Sequence, residues 1–144
     1  MIVFQKIYKK TYFFYFRMDA SKKAQWALRI AVAGEFVGHG VFALQGKKDW
    51  ISWVQQLTGV EAALAGQLIF LIGLFDLIVA LIVLIRPIRA VLLWAAFWGA
   101  WTALVRPLVG FPVWDFIERW ANWGAPLALL FLLGWPKSGK EWFR

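Results

Sequence analysis

The sequence predicts an all-α integral membrane four-helix bundle, with a short amphipathic helix between the first and second spans. Three observations carry this. Of the 144 residues, 62% are hydrophobic, against roughly 45–50% in soluble domains. The apolar residues gather into four runs, each close to the roughly 20 residues a spanning helix needs. The 11 Trp suit a chain with one side in hydrocarbon and the other in the polar interface.

The first 17 residues differ in texture from the rest. They mix Lys6, Lys9 and Lys10 with Tyr8, Tyr12, Phe13, Phe14, Tyr15 and Phe16. Residues 1–17 therefore read as a basic aromatic extension, either a mis-assigned start before Met18 or a membrane-surface segment. They lack the clean apolar core and small-residue cleavage site of a signal peptide. Residues 18–144 form one transmembrane domain.

The expected spans are about 24–44, 62–85, 88–108 and 113–133. Arg86-Pro87 separates the second from the third, and Gly110-Phe111-Pro112 the third from the fourth. Such tight links make antiparallel neighbours. The longest link, from Gln45 to Glu61, carries Trp50, Trp53, Val54 and Leu57 at i, i+3, i+4, i+7. That spacing predicts a short helix on the membrane surface or capping the bundle.

Basic residues set the orientation. Lys22, Lys23, Arg86, Arg89, Lys137, Lys140 and Arg144 fall on one side, and Lys47 and Lys48 on the other, with Arg106 nearby. Both termini are expected in the cytoplasm of a bacterial inner membrane. The formal charge of +8 serves this orientation, and no basic, aromatic-interleaved surface segment points to nucleic acid. The expected partners are the lipid bilayer and other membrane subunits or a second copy. With no cysteine, disulfides, thiol catalysis and Cys-ligated metals are excluded.

Small residues mark packing faces. Gly59, Gly66, Gly73 and Ala80 recur every seven residues, and Ala96, Gly99 and Ala103 make a small face opposite Trp94, Trp98 and Trp101.

The polar constellation is the functional signal. Asp115, Glu118, Arg119 and Asn122 are spaced i, i+3, i+4, i+7, one stripe of a continuous helix. A charge at membrane depth costs at least about 2.5–3.5 kcal/mol, so that stripe needs partners or a wet cavity. Glu35 and His39 share a face of the first helix, His39 lying about 6 Å further out at 1.5 Å per residue. Arg106 enters from the outer end of the third span, and Asp76 sits on the second. Arg29 is expected to snorkel. Pro126 has no N–H to offer the Asn122 carbonyl, which is expected to be free for a ligand or a water.

Two readings stand. In one, Arg106 and Arg119 pair with Glu118, Glu35 or Asp115 in a buried ion network that fixes helix register. In the other, Glu35, His39, Asp76, Arg106, Glu118, Arg119 and Asn122 form a ligand-binding or proton-handling pocket. A lone His excludes bis-His haem within one chain and three-His zinc, and no metal site is expected. No Walker loop, nucleophile elbow or paired-metal spacing is present, so no catalytic residue is assigned and enzymatic activity is left open.

Leu28-Arg29-Ile30 through Gly38-His39-Gly40, Gly73-Leu74-Phe75-Asp76, Arg106-Pro107 and the run from Trp114 to Trp123 resemble the DoxX-like family of small four-helix bacterial membrane proteins. The resemblance covers about residues 24–134. It implies a four-helix bundle and a role as an accessory component of a membrane redox system, with a quinone-like molecule or a lipid headgroup as its ligand. A small solute transporter, a proton conduit or a purely structural membrane subunit are the alternatives.

Overall fold

The computed structural model describes the backbone of residues 2–144 and the side chains of residues 20–144. Its elements are helical throughout: α1 (Ile2–Leu44), α2 (Lys48–Thr58), α3 (Ala62–Ile85), α4 (Arg89–Leu108), α5 (Trp114–Ile117) and α6 (Trp120–Leu133), then a 3-10 turn over Gly139–Phe143. Three segments are long and apolar enough to cross a membrane: Ala20–Leu44, Ala62–Ile85 and Arg89–Leu108. The side chains of the 1–17 extension lie outside the described residues.

The expected fourth span is corrected. Residues 113–133 do not form one helix, because the backbone turns at Glu118 and Arg119 between α5 and α6. In an unbroken helix the Asp115 carbonyl would accept the Arg119 N–H. Here the Arg119 guanidinium takes that carbonyl at 2.9 Å, and the Arg119 N–H goes to the Phe116 carbonyl at 3.2 Å. The side chain thus replaces a backbone bond at the Asp115 carbonyl. At 14 residues α6 is about 21 Å long, short of the roughly 30 Å of hydrocarbon.

Helix α1 lies along α3 and α4 along α6, and the pairs meet where α1 touches α6 and α3 touches α4. Small residues permit both close crossings. A Cβ on Gly73 would sit 2.9 Å from the Gly40 carbonyl oxygen and 2.9 Å from Ala43 Cβ. A Cβ on Gly99 would sit 2.6 Å from the Asn122 carbonyl oxygen. Gly73 and Ala80 are buried as their spacing predicts. Gly66 meets only Ile51 at 3.8 Å, and Gly59 is the left-handed cap of α2 at φ 73°. The predicted heptad ridge therefore packs only in its second half.

Two arginines tie the ends. Arg29 on α1 donates to the last carbonyls of α3: Val83 at 3.2 Å, Ile85 at 2.8 Å, and Leu84. Its guanidinium lies 4.0 Å from the Trp26 ring centroid. Arg89, opening α4, donates to Leu133 at 2.8 Å and Gly134 at 3.0 Å, at the end of α6. A cation on orphan C-terminal carbonyls satisfies them and complements the helix dipole. Arg29 thus caps its neighbour and does not line the cavity described below.

The core gathers at this same end. Val32, Ala33 and Phe36 of α1 pack with Val79, Ala80 and Val83 of α3, Leu92 and Ala95 of α4, and Leu129 and Leu130 of α6.

Candidate functional site

At the other end the helices part. They enclose a cavity of about 210 Å³ between α2, α3 and α4, with His39 of α1 at its edge. Each helix supplies a stripe. Helix α2 brings Trp50, Trp53, Val54 and Leu57, the apolar face its spacing predicts; α3 brings Ile69, Ile72 and Asp76; α4 brings Trp98, Trp101, Thr102, Val105 and Arg106. The expected amphipathic helix is present, and its apolar face is one wall of this cavity.

The polar groups divide between the two ends. At the outer end Arg106 lies 5.3 Å from the Trp53 ring centroid, a cation–π arrangement. His39 meets Trp50 edge-on at 5.5 Å, and Trp53 meets Phe111 at 5.5 Å. At the inner end lies Asp76, 2% exposed and the one buried charged side chain among the described residues. The Trp98 indole approaches its carboxylate, yet neither Asp76 Oδ1 nor Trp98 Nε1 completes a hydrogen bond. Trp50 Nε1 is also buried without a partner. Trp98 is held in place by stacking on Trp94, with centroids 5.8 Å apart and planes 13° from parallel. The Thr102 hydroxyl is already engaged, donating to the Trp98 carbonyl at 3.0 Å.

Of the seven residues singled out in the sequence, His39, Asp76 and Arg106 line the cavity. Glu35 is half-buried on α1, within electrostatic reach of Asp76 but not in the wall. Glu118 and Arg119 pair with each other at the turn before α6. Arg106 has no ion-pair partner within 4.0 Å among the described residues, while Asp115, Glu118 and Arg119 lie within electrostatic reach of it. Asn122 is corrected in a different way. Pro126 does leave its carbonyl without a helical donor, but Gly99 of α4 is set against that oxygen, which makes it a packing contact rather than an open ligand position.

From sequence the Trp stripe of α4 reads as lipid contact and neighbour packing, with stacking on a flat aromatic ligand as the alternative. A signal was present: Trp98, Thr102 and Arg106 are spaced i, i+4, i+8, and Ile69, Ile72 and Asp76 i, i+3, i+7. Each polar group thus shares a stripe with residues that define its cavity. Among the described residues no group of three His, Cys, Asp or Glu could hold a metal ion.

No family model matches the chain, and neither a characterised protein nor a solved structure does.

Proposed function

We propose that this chain is a DoxX-like four-helix protein of the bacterial inner membrane, with α5 and α6 together as its fourth crossing and both termini cytoplasmic. Its cavity holds a small planar amphipathic molecule of the quinone type, and the protein serves as an accessory component of a membrane redox system. The observation that carries this is the cavity itself. Its walls are largely indole and aliphatic, with the Arg106 guanidinium and the His39 imidazole at one end and the buried Asp76 carboxyl at the other. Ligand sites are commonly of this kind, apolar with a few convergent polar groups. A flat ring with a polar group at each edge matches that distribution better than a bulky lipid headgroup does.

Titration of the protein in nanodiscs with 1,4-naphthoquinone tests the reading. Tryptophan fluorescence should be quenched saturably in the wild type, and saturation should vanish when Trp98→Ala removes a wall. Linear, collisional quenching in the wild type would oppose it. A second reading, a proton conduit, is favoured by Glu35 lying within reach of Asp76. Proton flux in liposomes that Asp76→Asn abolishes would support that instead.

A further inference from the structure

Four arginines are partly buried among the described residues: Arg29, Arg89, Arg106 and Arg119. Three of them have acceptors. Arg29 and Arg89 donate to carbonyls at the ends of α3 and α6, and Arg119 donates to the Asp115 carbonyl and pairs with Glu118. Arg106, on the cavity wall, is the exception. Its guanidinium makes neither a hydrogen bond nor an ion pair with a described residue, and what steadies it is the face of Trp53 at 5.3 Å.

Two more donors share its situation. His39, at the edge of the same cavity, meets Trp50 edge-on at 5.5 Å. Lys47 Nζ lies 5.0 Å from the Trp50 ring centroid and 4.9 Å from that of Phe42. Neither side chain has a hydrogen bond or ion pair among the described residues. The charged groups that bear on His39 are Arg106, Arg119 and Lys47, all cations. Asp115 and Glu118 attract Arg106 and Arg119 repels it. No carboxylate comes within ion-pairing distance of Arg106, and Glu118 is held by Arg119. Aromatic rings thus position these donors and leave their N–H groups unused.

A guanidinium offers five N–H donors, and an imidazole offers at least one in either ionisation state. A neutral carbonyl would accept from this group without balancing its charge. A carboxylate does both, since its two oxygens match the planar fork of an arginine.

We infer that the cavity takes a ring bearing a carboxylate, which pairs with Arg106 and His39 at the outer end while the ring lies among the indoles of α2 and α4. This rests on the ring-ligand reading above and assigns the charge on the outer edge of that ring. Lys47 draws the anion toward the mouth. An acyl chain can carry the same carboxylate, but rigid indole walls favour a planar body over a flexible one. Water is the competing partner for Arg106.

Two probes of nearly the same shape separate the cases. Isothermal titration calorimetry on the protein in phosphatidylcholine nanodiscs, referenced to empty nanodiscs at neutral pH, would compare 2-naphthoate with 2-naphthamide. On the wild type the acid should bind at least tenfold more tightly. Arg106→Gln should bring the ratio to near one, with the affinity for the amide little changed, and Arg106→Lys should retain part of the preference. Equal binding of the two probes by the wild type would overturn the inference and leave the ring reading standing, with water on Arg106. A ratio that persists in Arg106→Gln would overturn it by placing anion recognition elsewhere. Decanoate, the same carboxylate on an acyl chain, should bind more weakly than 2-naphthoate; equal or tighter binding would overturn the inference and the ring reading with it. If neither naphthalene probe binds beyond the empty-nanodisc reference, both also fall. The wild-type comparisons decide even if a variant does not fold.

Discussion

One end of this molecule is filled and the other is hollow, although the same helices build both. At the filled end α1, α3, α4 and α6 contribute Val, Leu, Ala and Phe to a continuous core, and Arg29 and Arg89 close it by capping α3 and α6. Both arginines there meet carbonyls at a helix end. At the hollow end the residues are larger and more polar, yet they leave space and unpaired atoms. The difference lies in the shape of what is packed. Branched aliphatic chains interdigitate, whereas rigid indoles braced by neighbours, such as Trp98 on Trp94, cannot collapse inward. Asp76 lies on α3 just where one region gives way to the other, three residues before Val79 of the core.

Substitutions can break this comparison in order of effect. Leu92 is fully buried in the filled end, and Leu92→Ala should destabilise by about 2–5 kcal/mol through lost contacts and a residual void. Thermal unfolding in detergent measures this. A loss smaller than those at cavity positions would reverse the assignment of the two ends.

Gly99→Ala comes next. Its Cβ would sit 2.6 Å from a backbone oxygen, so the whole of α6 must shift rather than one side chain. Overpacking of this kind costs about 1–3 kcal/mol. Full retention of the wild-type melting temperature would show that the α4–α6 crossing is looser than described.

Arg29→Ala strips the cap from α3. The expected cost is about 0.3–1 kcal/mol, rising toward 2 if the site is well shielded. Hydrogen exchange should show fraying confined to the last turn of α3; exchange spread evenly over α1 would point to a different role.

Arg119→Ala should cost the least, under about 1 kcal/mol. Its ion pair with Glu118 is solvent-accessible, and such pairs contribute little. A larger loss would mean that the turn between α5 and α6 depends on the bond to the Asp115 carbonyl.

The filled end was largely legible in the sequence. The expected bounds 62–85 and 88–108 fall within a residue of α3 and α4, because run length and punctuation by Arg86-Pro87 decide them. The α2 stripe was legible for the same reason. The break at Glu118 and Arg119 was not. Polar residues at i, i+3, i+4, i+7 look alike whether or not a guanidinium displaces one backbone bond. Nor was the role of Arg29, since its partners are carbonyls of a distant helix, which leave no trace in residue identity. Asp76, His39 and Arg106 were singled out as intramembrane polar groups, but the indoles around them looked like ordinary packing. A Trp that fills space and a Trp that frames it read the same in one dimension.

The central claim is that Asp76 belongs to a cavity awaiting a partner rather than to an ion network that holds the fold. The melting temperature of ligand-free Asp76→Ala against the ligand-free wild type, in the same detergent, tests it most directly. Removing a buried carboxyl whose Oδ1 has no partner relieves a cost of about 1–3 kcal/mol, so the variant should melt at or above the wild-type temperature. Breaking a buried ion pair instead costs about 3–5 kcal/mol. A fall in melting temperature as large as that of Leu92→Ala would contradict the account.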